Sequence, residues 1–135
     1  MRYAFPAVFT PEDNGQFSIY FPDLEGCYTC GDSMQDGILM AQDILAYTLY
    51  DEYEKKGIPV PVPSTIADIR LSGGEFINFI ACDTIVYAMR HSNRAVKKTL
   101  TIPEWLDFAA SERGLNFSQV LQEALKKKVL ADDGR

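Results

Sequence analysis

The sequence has no apolar run that approaches the ~18 residues a membrane-spanning helix requires. Its opening residues, Met1–Tyr3, lead directly into a strand-like pattern rather than into a signal peptide. Its three cysteines are too few, and odd in number, for a disulfide framework. These absences argue against a membrane protein and against a disulfide-rich secreted protein, so we expect a cytoplasmic protein that makes no contact with a membrane.

Residues and motifs typical of metal, phosphate or catalytic sites are also scarce. His91 is the only histidine, and the Cys27-x-x-Cys30 motif has no second cysteine pair or histidine cluster beside it. In addition, Cys27 and Cys30 would point to opposite faces of a strand, because they are three residues apart. Gly73-Gly74 is typical of a tight turn and not of a phosphate-binding loop. We therefore expect no metal and no other cofactor.

The composition is that of a globular protein, with 47% hydrophobic and 24% charged residues among 135. The net charge of −6 is unevenly distributed. Residues 1–90 carry five basic and 13 acidic residues, a net charge of −8, whereas residues 91–135 carry eight and six, a net charge of +2. An acidic body with a mildly basic tail indicates two partners of opposite charge, although charge alone slightly favours ordinary surface variation.

The first ninety residues predict three strands, a long helix and two more strands. Alternation and β-branched or aromatic content predict the strands Tyr3–Thr10, Gln16–Phe21, Cys27–Gly31, Ile66–Leu71 and Phe76–Cys82. Asn14-Gly15 favours a hairpin between the first two. Ser33 can cap the helix, with Asp36 three residues on as in a capping box. Asp83–Arg90 suits either a strand or a short helix.

The last forty residues predict a strand, a helix, a glycine turn and a second helix. Val96–Ile102 alternates, and Pro103 suits the first turn of a helix that ends at Gly114. Asn116 can cap the second helix. One short strand and two helices make a poor core, but two copies that pair their strands antiparallel would form a ribbon on a four-helix core.

In such a ribbon Leu100 and Ile102 point inward and the intervening polar residues point outward. A two-stranded ribbon fits the major groove of DNA, and the start of the second helix can hold a phosphate. Lys98–Leu106 and Gly114–Ser118 resemble the strand, helix entry and turn of the ribbon-helix-helix family of repressors. The resemblance implies a DNA-binding and dimerisation domain over residues 95–130. The structural alternative is a strand that packs on its own chain.

The candidate sites in this tail follow from the ribbon arrangement and the resemblance. The predicted DNA-binding residues are Lys97, Lys98, Thr99, Thr101, Asn116, Phe117 and Ser118. The predicted dimer-interface residues are Leu100, Ile102, Trp105, Leu106, Val120 and Leu121.

Three features of the first ninety residues resemble the HicB family of antitoxins. These are Phe21–Cys27 between the second and third strands, Gly31-Asp32-Ser33 at the helix start, and the proline-rich connector Pro59–Pro63. The resemblance implies an α+β chain in which a partial ribonuclease-H-like β-β-β-α-β-β domain over residues 1–90 precedes the ribbon-helix-helix domain. It also implies that the chain blocks HicA, a small basic toxin that cleaves mRNA, and represses its own operon.

The residues themselves do not favour an enzyme. Ribonuclease-H chemistry needs several carboxylates converging on Mg²⁺, one of them in the first strand, and Tyr3–Thr10 contains no acid. We therefore expect a non-enzymatic antitoxin whose partners are a HicA-like ribonuclease, operator DNA and a second copy of itself, with a tetramer as a further option. The predicted toxin contacts are Asp23, Glu25 and Asp32. The alternative is a stand-alone ribbon-helix-helix repressor whose body senses a small ligand or another protein.

Overall fold

The computed structural model describes residues 1–132, and the chain divides into two compact units, Met1–Asn93 and Arg94–Arg135. Unit 1 contains a four-stranded sheet and two α-helices. Its elements are β1 (Arg2–Pro11), β2 (Phe17–Tyr20), β3 (Tyr28–Gly31), α1 (Met34–Tyr47), a π-helical extension (Thr48–Glu54), a short 3₁₀ helix (Ile66–Asp68), β4 (Phe76–Asp83) and α2 (Thr84–His91). No helix within residues 1–132 is long and apolar enough to cross a membrane.

The sheet of unit 1 is antiparallel throughout, in the order β3-β2-β1-β4. The predicted strands at β1, β2, β3 and β4 are confirmed. β4 pairs with β1 over its whole length, from Arg2 opposite Asp83 to Phe9 opposite Phe76. One face of the sheet packs against α1, and large apolar residues of β1 and β2 contribute to this core. The buried core includes Phe5, Phe9, Ile19, Leu45 and Leu49.

The start of α1 follows the predicted cap. Ser33 Oγ accepts a hydrogen bond from the backbone N–H of Asp36 at 3.1 Å. The carboxylate of Asp36 reaches back to the N–H of Asp32 at 2.8 Å, one residue before the cap. Gly31 lets this helix approach closely, because a Cβ on Gly31 would lie 2.3 Å from the Cα of Gly37.

The predicted strand Ile66–Leu71 is wrong, so the order of unit 1 is β-β-β-α-β-α and not β-β-β-α-β-β. A capping box, in which Thr65 and Asp68 exchange side-chain and backbone hydrogen bonds, turns Ile66–Asp68 into a 3₁₀ helix. Ile66 is 62% exposed, so its side chain lies outside the apolar core. The predicted turn at Gly73-Gly74 is present, with Gly74 at φ +83°, but it leads into β4 instead of joining two strands.

The ambiguous segment Asp83–Arg90 forms a helix. Asp83 caps α2 by accepting hydrogen bonds from the N–H groups of Ile85 and Val86 at 3.0 and 3.4 Å. His91 is the last residue of this helix.

Unit 2 contains α3 (Glu104–Glu112) and α4 (Phe117–Asp132), joined by a turn in which Gly114 has φ +65°. Asn116 Oδ1 accepts a hydrogen bond from the N–H of Gln119 at 3.1 Å, which confirms it as a helix cap. Residues 92–103 form no hydrogen-bonded strand within a single chain. The alternation of Val96–Ile102 is thus present in the sequence without a strand partner among residues 1–132.

Candidate functional site

An apolar groove runs along unit 2 and brings together most of the predicted dimer-interface residues. It has a volume of about 520 Å³. Its walls include Leu100, Ile102, Leu106, Val120 and Leu121, each between 37% and 54% exposed. Side chains of this kind are normally buried, so the groove leaves a continuous apolar surface open in one chain.

Of the other predicted residues of unit 2, some line this groove and the rest are exposed elsewhere. Trp105 is 69% exposed but does not line it. Lys98, Phe117 and Ser118, predicted as DNA contacts, do line it. The remaining predicted DNA contacts are exposed: Lys97, Thr99, Thr101 and Asn116. The groove therefore contains most of the predicted dimer-interface residues and three of the predicted DNA contacts, and both assignments stay predictions.

The predicted toxin contacts in unit 1 have different roles in the fold. Asp23 accepts hydrogen bonds from both the N–H and the hydroxyl of Ser64, the first at 2.9 Å, and so ties the β2–β3 turn to the connector. Asp32 accepts a hydrogen bond from Gln16 Nε2 at 3.4 Å. Glu25 is exposed in the turn. Asp23 is half-buried and hydrogen-bonded to Ser64, whereas Glu25 and Asp32 are exposed at the surface.

A second concave region of unit 1 went unpredicted. We call it the α1–α2 notch, and define it by Met40, Asp43, Tyr47, Tyr87 and His91, which line a cavity of about 280 Å³. The i, i+4 spacing of Asp43 and Tyr47 indicates that the two side chains are neighbours on one face of α1. Tyr87 was missed because its segment suited a strand as well as a helix, and His91 because the segment considered ended at Arg90.

Two carboxylates next to β1, those of Asp83 and Glu12, form contacts within unit 1. Asp83 caps α2 and lies 3.5 Å from the Arg2 side chain. Glu12 accepts a hydrogen bond from Ser18 at 3.0 Å beside the first turn. Within residues 1–132 no group of three or more His, Cys, Asp or Glu side chains is arranged to hold a metal ion. Cys27 is buried and Cys30 exposed, as the strand spacing predicts.

Known proteins with similar sequences and folds point to one family. Residues 4–71 match the family described as HicB_like antitoxin of bacterial toxin-antitoxin system. Antitoxin HicB 1 of Photorhabdus laumondii subsp. laumondii is 35% identical over 75 residues, which are 53% of this chain and 47% of the relative. The chain thus spans about half the length of the curated relatives it matches.

Solved structures agree with the sequence match. A chain of a toxin–antitoxin complex from Streptococcus pneumoniae is 30% identical with a TM-score of 0.62, and the match covers 95% of this chain and 99% of that one. The crystal structure of antitoxin HicB3 is 29% identical with a TM-score of 0.50, over 94% and 98% of the two chains. Since the family match covers half of the chain and the Streptococcus match nearly all of it, the chain belongs to the HicB-like antitoxin family of bacterial toxin–antitoxin systems.

Proposed function

We propose that the chain is an antitoxin that binds and inactivates a HicA-like mRNA-cleaving toxin through unit 1. The observation that carries this proposal is the family match, whose residues 4–71 lie entirely within that unit. The net charge of −8 over residues 1–90 supports it, because an acidic surface attracts a basic protein and speeds its encounter. Glu25 and Asp32 remain the proposed contacts in the β2–β3 region, with Asp23 holding that region in place through Ser64.

Inactivation by such an antitoxin requires no chemistry of its own. Binding that covers the active site of the toxin is sufficient, and the carboxylates of unit 1 serve as helix caps and surface charges. We therefore propose that the protein is not an enzyme and that unit 1 resembles ribonuclease H in fold alone. Calorimetry with Mn²⁺ and an RNA-cleavage assay test this: RNA cleavage that Asp83→Asn abolishes would contradict it.

We further propose that unit 2 is a ribbon-helix-helix domain that dimerises and represses the operon of the pair. The open apolar groove supports this, since a second copy can cover it, and so does the alternating segment Val96–Ile102, which lacks a strand partner in one chain. Two such segments paired antiparallel would place Lys97, Thr99 and Thr101 on the outer face for contact with operator DNA. The domains proposed are thus 1–90 for the toxin and 95–130 for DNA, in a cytoplasmic complex.

One experiment separates this function from its alternative, a stand-alone repressor that senses another ligand. The chain is co-expressed with the short reading frame beside its gene, and the complex is purified and assayed for inhibition of mRNA cleavage. We expect the neighbouring product to co-purify and its ribonuclease activity to be lost in the complex. If that product neither binds nor is inhibited while the chain still shifts operator DNA, the alternative is correct.

A further inference from the structure

The α1–α2 notch is built around the ring of Tyr87. The centroid of this ring lies 6.5 Å from that of Tyr47, 5.9 Å from that of Tyr50 and 4.5 Å from that of His91. The rings come from α1, its π-helical extension and α2, so the packing of these helices fixes their positions. The result is a rigid aromatic wall beside the open cavity of about 280 Å³.

One side of this aromatic group already binds a cation of the chain itself. Lys55 Nζ lies 3.2 Å from Asp51 Oδ1 and 5.6 Å from the ring centroid of Tyr50. The hydroxyl of Tyr87 donates a hydrogen bond to the other oxygen of Asp51 at 3.3 Å. The lysine therefore satisfies a carboxylate and an aromatic face together, a combination that stabilises a cation more than either group alone.

The other side presents the same two groups without a cation. Asp43 is exposed in the notch, one helical turn before Tyr47. Among residues 1–132 Asp43 forms no hydrogen bond and no ion pair, although it lines a second cavity, of about 190 Å³, together with Arg90. An exposed carboxylate that shares a cavity with tyrosine rings offers a positively charged group both charge and an aromatic face.

We propose that the α1–α2 notch receives an arginine side chain of the toxin, so that the toxin docks on the exposed surface of α1 and α2. This inference rests on the proposed antitoxin function. A planar guanidinium can stack on a tyrosine ring while it donates hydrogen bonds to a carboxylate. The cavity is several times the ~30 Å³ that a water molecule occupies in the liquid, so it admits such a group.

Two features of the surroundings favour a protein partner. The net charge of −8 over residues 1–90 repels nucleic acids and attracts a basic protein. Apolar side chains lie in and beside the notch: Met40, which lines it, is 41% exposed, and Val86, which lines the adjoining cavity, is 37% exposed. A charged anchor surrounded by apolar contacts is typical of the residues that dominate binding energy at protein interfaces.

The test measures the affinity of the full chain for a catalytically inactive form of the toxin encoded beside it, by calorimetry. We expect Asp43→Asn to weaken binding about tenfold, and Asp43→Lys to weaken it further. Asp13→Asn is the matched control, because it removes one negative charge from an exposed turn outside the notch. It should change the affinity less than about twofold. Equal effects of Asp43→Asn and Asp13→Asn would overturn the proposal.

A second pair of variants tests the aromatic wall. Tyr47→Phe keeps the ring and should bind like the wild type, whereas Tyr47→Leu removes it and should weaken binding several-fold. Reversal of each toxin arginine to glutamate then identifies the partner, since one reversal should restore binding to the Asp43→Lys chain. If none does, the arginine assignment is wrong. If the wild-type chain does not bind the toxin at all, the proposed antitoxin function fails and this inference fails with it.

Discussion

At the residue scale, Glu54 joins three distant parts of unit 1. Its carboxylate accepts hydrogen bonds from the hydroxyl of Tyr3 at 3.1 Å and from that of Thr84 at 2.6 Å. Thr84 is fully buried, and its N–H donates to the carbonyl of Met1 at 2.9 Å. The end of the π-helical extension is thereby tied both to β1 and to the start of α2.

This cluster predicts a loss of stability at high pH. Burial, with the nearby charge of Glu54, raises the pKa of Tyr3 from 10.0 to about 12. Since the folded state holds this proton more tightly than the unfolded state, the free energy of unfolding should be highest below pH 10 and fall as the pH rises from 10 to 12. Urea denaturation at pH 8 and at pH 11 measures this, and Tyr3→Phe should show a smaller decrease between the two.

Ionisation of Cys82 should also lower the stability at high pH, so it needs its own control. Burial raises the pKa of its thiol from 9.0 to about 12, so part of the alkaline decrease should persist in Tyr3→Phe. Cys82→Ala in the Tyr3→Phe background should reduce that remainder. A pH dependence that is unchanged in the double variant would contradict the assignment to these two groups.

A second prediction at this scale concerns Gly31, where β3 ends against α1. A Cβ at this position would lie 2.3 and 2.4 Å from backbone atoms of Gly37, and backbone cannot move aside as a flexible side chain can. Gly31→Ala should therefore lower the free energy of unfolding by about 1–3 kcal/mol. The control is Gly73→Ala, where a Cβ meets nothing within 4 Å and φ is not positive. Comparable destabilisation in both variants would contradict the close approach of α1.

At the element scale, the segment Val96–Ile102 and helices α3 and α4 have apolar faces that one chain does not cover. Leu100 and Ile102 are 54% and 43% exposed, and they line the same groove as Leu106 and Leu121. An isolated strand has no partner for its backbone N–H and C=O groups, and pairing with the same segment of a second copy, as proposed, would supply one.

The corresponding prediction is that dimerisation depends on the groove. Loss of a large buried side chain costs about 2–5 kcal/mol, and Ile102→Ala would remove the contact from both chains of a dimer. Light scattering at micromolar concentration should give a dimer or tetramer for the wild type and a monomer for Ile102→Ala. Glu112→Ala, on the exposed end of α3, should leave the assembly unchanged. A stable wild-type monomer would contradict the prediction.

At the scale of the whole molecule, the two units differ in charge and in exposed chemistry. Residues 1–90 are acidic with a net charge of −8, and residues 91–135 are basic with a net charge of +2. Unit 1 has its own buried core, whereas unit 2 has no fully buried side chain among its described residues. The two units therefore present different surfaces, which fits the proposal that they bind different partners.

This division predicts that the two activities separate. The double variant Lys97→Ala/Thr101→Ala should weaken operator binding at least about tenfold, because a good base contact contributes about 1–3 kcal/mol. Inhibition of the toxin should be unchanged. A gel-shift titration and an mRNA-cleavage assay on the same proteins measure the two effects.

Its control is Lys126→Ala/Lys127→Ala, which removes two positive charges from the last turns of α4. This control should retain most of the operator affinity, and binding of the wild type should weaken as salt rises. Wild-type operator binding by the Lys97/Thr101 variant would show that the ribbon assignment is wrong.

Local sequence patterns determined much of this protein. Ser33 and Asn116 mark helix starts because their side chains can satisfy a free N–H two or three residues on, whatever packs nearby. Alternation in β2 and aromatic and β-branched residues in β1 likewise predicted these strands, and both contribute to the core. The family resemblance of the first ninety residues followed from such local motifs and is confirmed by the match over residues 4–71.

Tertiary structure decided those features in which residues distant in sequence contact one another. Ile66–Leu71 had strand character, but the edge of β1 is occupied by β4, and the local bonds of Thr65 with Asp68 favoured a 3₁₀ turn. Asp23 looked like a free surface charge until Ser64, 41 residues on, was placed against it. The notch around Asp43 likewise depends on the packing of α2 beside α1. Burial and hydrogen bonding between distant residues are set by packing, and sequence spacing alone does not report them.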